Sequence, residues 1–308
     1  AISAQLPHLT AHRISSNVFG GMLAVTLPFY APLILLPGTE ALPLTSGWRR
    51  GLRLLWSAAL AVALLGWLVA SSRGAWLALA GAVTVWMLWR ALGRWSRYGR
   101  RGRRRSTRAW SLRLTWMGGV LLLGATLAGI AIALILGGYL PGAAALTNRL
   151  DLLRASALLA RDTPFTGIGL GMYEMHFSIY TLLIHVGYIV NSHNLLLDLA
   201  IEQGVPGALA YAAAVAVAFV VGLRLLRSAF VTRHAPQAHT WIIEAALVAL
   251  LVGLAHGMVD DILYGSRALL LLFVPFGVLA AASGGAAAAS SDASEDVAAP
   301  LPETESPP

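Results

Sequence analysis

Residues 54–108 read LLWSAALAVALLGWLVASSRGAWLALAGAVTVWMLWRALGRWSRYGRRGRRRSTR. The first part holds two apolar runs, Leu54–Ala70 and Gly74–Leu92, parted only by Ser71, Ser72 and Arg73, and the remainder is dominated by arginine. A bilayer core is crossed by ~20 apolar residues in helical form, because every backbone polar group in hydrocarbon has to be satisfied within the segment. Working outward, five further segments have the same character: Val18–Pro37, Leu114–Leu136, Val205–Leu223, Trp241–Val259 and Ala268–Ala282. Seven transmembrane helices are therefore expected, the first kinked by Pro28 and Pro32. Composition agrees: of 308 residues 57% are hydrophobic and 12% charged, where a soluble domain carries roughly a quarter charged residues. With no Cys, disulfide frameworks, thiolate metal sites and a cysteine nucleophile are all excluded.

The net charge of +8 has a location. All 22 basic residues are Arg, and ten of them fall between Arg90 and Arg113 with no acidic residue among them. Short Arg-rich loops stay cytoplasmic, so this loop, residues 93–113, orients the chain. Counting spans outward from it puts Arg49, Arg50 and Arg53, and also Arg224, Arg227 and Arg233, on the same side. No folded soluble domain accompanies the cluster, which argues against nucleic acid as a partner. The outer face then receives residues 1–17, the Ser71–Arg73 turn, a large loop over residues 137–204, and the Asp260–Arg267 turn. Residues 18–282 form the transmembrane domain, and the Ala-, Ser-, Pro- and Glu-rich residues 283–308 read as a disordered cytoplasmic tail. Residue 1 is Ala, and residues 1–17 lack the basic and apolar regions of a signal peptide; the chain is expected to be a fragment of a longer protein. No internal repeat points to an inverted-repeat transporter.

The polar residues with chemical potential gather on the outer side. Arg73 interrupts an otherwise apolar stretch; it is either a snorkelling anchor or an anion ligand whose planar fork fits phosphate oxygens. From Asn148 to Arg161 the spacing of Leu150, Leu153, Ala157 and Leu158 predicts an amphipathic helix on which Arg149 and Arg154 point to nearly opposite faces. Gly167, Gly169 and Gly171 lack the strand and Lys of a phosphate-binding loop and read as permitting a tight turn or close backbone approach. His193, in Asn191-Ser192-His193-Asn194, opens an apolar run; it is either a capping residue or a base that accepts a proton from an attacking hydroxyl. Asp198 and Glu202, at i and i+4, share a helix face and could orient that imidazole, bind sugar hydroxyls, or merely line the helix end. His256, Asp260 and Asp261 near the end of the sixth span are functional candidates as membrane-embedded ionisable groups, against the alternative of an ion pair to Arg267. The remaining histidines have no metal-site spacing.

Four passages together resemble the O-antigen ligase and polymerase superfamily of bacterial membrane glycosyltransferases: Ser16-Asn17 with Gly20 and Gly21, Ser72-Arg73-Gly74, Arg149 through Pro164-Phe165-Thr166-Gly167-Ile168-Gly169, and His193-Asn194 with Glu202, Gly204 and Gly207. The resemblance runs from about residue 12 to about residue 280. It implies an all-α, polytopic, GT-C-like membrane enzyme in the bacterial cytoplasmic membrane, active on its periplasmic side. Such an enzyme moves a glycan from an undecaprenyl-pyrophosphate carrier to an acceptor hydroxyl on another glycan, a lipid A core or a protein, and needs no cofactor or metal. It further implies Arg73, Arg149 and His193 as catalytic residues, with Arg154, Asn194, Glu202, Asp260 and Asp261 as substrate-binding candidates. Members of the family have more spans than seven, which would place a missing amino-terminal part before Ala1. Two other classes remain open from the residues alone: a transporter of a small anion such as bicarbonate, and a noncatalytic membrane scaffold.

Overall fold

Ser15 starts the first described helix by accepting the Val18 amide on its hydroxyl at 3.1 Å, satisfying one of the donors that every helix start leaves open. The computed structural model describes residues 15–38, 44–101, 143–181, 189–232, 237–260 and 269–298. Its helices are α1 (Ser16–Leu35), α2 (Ser46–Ala70), α3 (Arg73–Arg101), α4 (Ala143–Asp162), the single turn α5 (Tyr173–His176) continued as a π-turn (Phe177–Thr181), α6 (Leu195–Thr232), α7 (Gln237–Gly257) and α8 (Leu269–Ala298). No strand occurs among the described residues. The chain is a polytopic helical membrane protein: among the described residues five helices are long and apolar enough to span, namely Ser16–Leu35, Ser46–Ala70, Arg73–Ala91, Leu195–Ala229 and His239–Gly257.

These spans match five of the seven segments expected from sequence. The segment Leu114–Leu136 lies outside the described residues, and Ala268–Ala282 corresponds to a shorter apolar stretch, Leu270–Gly285, within α8. Helix α8 continues to Ala298, into the stretch read as a disordered tail; the alanines there are the best helix formers and carry the geometry onward. Helix α1 runs unbroken from Ser16 to Leu35 across Pro28 and Pro32.

The described residues form two compact units. The first comprises those up to Ala82, from Leu209 to His256, and from Leu269 onward. Its central helix is α7, 67% of whose apolar window is buried, whereas α2 buries 6% of its own and presents the rest outward. Small residues set the packing distances. A Cβ on Gly20 of α1 would sit 2.7 Å from the Ser72 Cβ, and one on Gly66 of α2 would press on Leu23 and Phe19. Between α2 and α3 the turn is made by Ser71, whose φ of 52° is left-handed, and by Ser72, whose buried hydroxyl accepts the Ala75 amide at 3.3 Å. Arg73 is the first residue of α3 in this unit.

The second unit comprises residues 83–208 as described, with Gly257 to Asp260. Its core is a cluster of Leu159, Tyr173, Phe177 and Ile201. Helix α4 confirms the expected helix, but its buried face differs: Leu152, Ala155, Ser156, Leu159 and Ala160 turn inward, while Leu150 and Leu158 stay exposed. The inward face includes a serine because its hydroxyl meets that of Tyr173 at 2.6 Å, and apolar periodicity alone cannot register a polar residue satisfied in this way.

Candidate functional site

The run Asn191-Ser192-His193-Asn194 is built to hold one imidazole. His193 has φ 58°, a left-handed conformation uncommon outside glycine. Three local hydrogen bonds impose it. The His193 amide donates to Asn191 Oδ1 at 3.1 Å, and the Ser192 amide donates to Asp198 Oδ1 at 2.8 Å. Asn194 then starts α6, its Oδ1 accepting the Leu197 amide at 3.0 Å. Asn191, Ser192 and Asp198 are all buried, so this turn is a rigid base rather than a solvated loop.

The end of α7 completes the site. A Cβ on Gly257 would come within 3.0 Å of the Leu195 side chain; glycine lets the chain pass close to the start of α6 and delivers Met258, Val259 and Asp260 beside His193 and Asn194. Asn194 Nδ2 donates to the Met258 carbonyl at 3.4 Å. His193 Nδ1 lies 3.0 Å from Asp260 Oδ1, the histidine side chain 37% exposed and the aspartate 5%. Arg149, from α4, donates through Nη1 to the Val259 carbonyl at 2.6 Å. A guanidinium thus sits on the residue next to the aspartate that holds the imidazole, joining three segments 110 residues apart in sequence at the widest.

The other candidates separate from this group. Glu202 is buried, and its carboxylate accepts the Gly171 amide at 2.8 Å and the Tyr173 amide at 3.3 Å. Asp198 holds Ser192, so the imidazole takes its carboxylate partner from α7's end, not from the shared face of α6. Arg154 is exposed and pairs with Asp151 at 3.3 Å, one turn away on α4. Arg73 belongs to the other compact unit, and Asp261 lies outside the described residues. Asn191 and Ser192 are the site residues that sequence reasoning passed over; their signal was the unbroken polar run before an apolar helix.

The glycine loop is a structural strap. Gly167, Gly169 and Gly171 have φ of 66°, 102° and 70°. Their amides and that of Ile168 donate to Thr163 O, Ile201 O, Glu202 O and Glu202 Oε2, which leaves none of these four to cradle a phosphate. Gly204, with φ 74° and ψ 171°, breaks α6 into Leu195–Gln203 and Val205–Thr232, and the Val205 amide donates to Pro164 O at 2.7 Å. The span thus begins as helix ten residues earlier than the expected Val205. Burial pushes the Tyr173 phenol well above its usual range, a shift that the Asp198 charge adds to and the Ser156 hydrogen bond opposes; the hydroxyl stays neutral and locks α4 to α5.

A family described as O-antigen ligase matches residues 58–212, half of the chain. That stretch contains Arg73, Arg149 and His193, while Asp260 lies beyond it. No curated protein matches the chain.

Proposed function

The chain belongs to the O-antigen ligase family, whose members are polytopic membrane glycosyltransferases, and from that premise we propose that it transfers a glycan from an undecaprenyl-pyrophosphate carrier to an acceptor hydroxyl. The reading is of the ligase or polymerase type, with the active face periplasmic in a bacterial inner membrane. The observation that carries it is the contact of His193 Nδ1 with Asp260 Oδ1 at 3.0 Å, with Arg149 fixed on the adjacent Val259 carbonyl.

A nearly buried carboxylate at Nδ1 holds that nitrogen as the N–H and leaves the Nε2 lone pair as the base, the arrangement by which an orienting acid fixes the tautomer of a catalytic histidine. In the proposed step the acceptor oxygen attacks the anomeric carbon and its proton passes to Nε2. The bond from that carbon to the phosphate oxygen breaks on the opposite face, so configuration inverts. The departing pyrophosphate gains negative charge, which the remaining N–H groups of Arg149 would meet; Arg73, in the other compact unit, is a separate catalytic candidate. A guanidinium supplies bidentate donors and permanent charge to phosphate, and a preorganised cation at the point where charge develops is the largest source of rate enhancement in reactions of this kind. No divalent ion is required in this scheme. Asp260 thereby changes role, from an acceptor-binding candidate to the residue that positions His193; Asn194 fixes the turn, and Arg154, Glu202 and Asp261 remain candidates for contact with substrate.

The test is glycan transfer in vesicles containing the protein and a lipid-linked donor. His193→Ala should lower the rate by about 10²-fold or more, the scale of a lost general base. Asp260→Asn should give a smaller loss with unchanged membrane insertion. Full activity in both variants would overturn the assignment, and anion uptake without transfer would favour the transport alternative.

A further inference from the structure

The loop from Pro164 to Gly171 displays apolar side chains while the amides of Gly167, Ile168, Gly169 and Gly171 are engaged. Of its apolar side chains beyond the proline, Ile168 packs against the core of its unit, whereas Phe165 is 79% and Leu170 70% exposed. The loop is tied down at several points. Its amides are tied to Ile201 and Glu202, and any Cβ at Gly167 or Gly204 would come within 2.4 Å of backbone across the contact. Its position is equally defined. Pro164 O accepts the Val205 amide, and Val205, itself 43% exposed, follows the Gly204 kink and opens the uncharged run of α6 that continues to Leu223. Phe165 therefore leaves the backbone beside the first turn of the uncharged piece of a candidate span. Aromatic and aliphatic side chains beside the end of such a piece are how proteins seat a segment on a bilayer.

We propose that Phe165 and Leu170 insert into the adjoining leaflet, making the glycine loop a membrane-surface anchor. The partner is the bilayer itself, through continuity of the loop with the exposed first turn after the α6 kink. This inference rests on the membrane-spanning architecture and not on glycosyl transfer, so the two stand or fall separately. The anchor would hold the α6 kink, and with it the His193 turn, at a fixed depth.

The native chain has no cysteine, so single labels can be placed without altering it further. Phe165→Cys, Leu170→Cys and, as a water-facing reference, Asp151→Cys would each carry a nitroxide spin label in the full chain, reconstituted in phosphatidylcholine and phosphatidylglycerol vesicles free of polyprenyl lipid. Both loop side chains are exposed, so their replacement leaves the core intact. Collision with a water-soluble nickel chelate should be severalfold lower at positions 165 and 170 than at 151, and collision with oxygen higher. Equal nickel access at all three positions would overturn the proposal. So would protection that appears only on adding undecaprenyl phosphate, which would make the occupant a carrier tail, or only at protein densities where labels broaden one another, which would make it a second copy.

Discussion

At the scale of single residues, Asp260 and Glu202 show why a carboxylate's role cannot be read from its neighbours in sequence. Glu202 shares a helix face with Asp198 and sits nine residues after His193, so that on spacing it could, like Asp198, orient the imidazole. Its two oxygens instead accept the amides of Gly171 and Tyr173, while the imidazole takes Asp260, 67 residues away. The sequence displayed the polar run around His193, the arginines and the aspartates; it could not display that Gly257 allows one helix end to pass against the start of another. A definite expectation follows for Glu202→Gln. An amide can accept only through its oxygen, so one buried N–H would lose its acceptor, and such a charged hydrogen bond is worth about 1.5–3 kcal/mol. The variant should be less stable by that amount, read as a lowered unfolding temperature in thermal denaturation. A normal unfolding temperature combined with lost glycan transfer would instead mean that Glu202 meets substrate directly.

At the scale of elements, apolar length located the spans well and the polar joints poorly. Helices α1, α2, α3, α6 and α7 each cover an expected segment, because ~20 consecutive apolar residues admit few other readings. The start of α6 was misplaced because Gly204-Val205-Pro206 looks like a helix boundary. It is instead a kink between two helical pieces, whose displaced amide is recovered by Pro164 O. The glycines of the strap carry a graded expectation. Gly167→Ala adds a Cβ 2.4 Å from the Glu202 backbone at a φ of 66°, whereas Gly171→Ala, at a similar φ of 70°, meets nothing within 4 Å. Gly171→Ala should cost only the left-handed penalty of about 1–2 kcal/mol. Gly167→Ala should add a clash with backbone that cannot move aside, and should open residues 163–173 to limited proteolysis at protease levels that leave Gly171→Ala intact. Equal resistance of the two would mean that the strap is not held against Glu202.

At the scale of the whole molecule, the charge and the site bear on the same question, which is where each end of each helix lies. Ten of the 22 arginines stand between Arg90 and Arg113; without them the chain has 12 basic against 14 acidic residues, −2 overall. The basic character is therefore expected to act as a topological signal, and counting from it would send both the residues before α6 and those after α7 to the outer face. The contact of His193 with Asp260 bears on the same count from different atoms. His193 precedes α6 and Asp260 follows α7, so two crossings separate them, and a 3.0 Å contact is possible only if both ends share a side. The parity holds whichever side that is, and only the arginines say it is the outer one. Single cysteines in the cysteine-free chain test this directly: at Ser106, within the arginine loop, and at Asp151, exposed on α4. A membrane-impermeant maleimide added to intact spheroplasts should modify Asp151→Cys and spare Ser106→Cys until the membrane is opened. The reverse pattern would move the imidazole to the cytoplasmic face, where it could not meet a glycan carrier presented outside. Labelling of both from one side would break the expected span count itself.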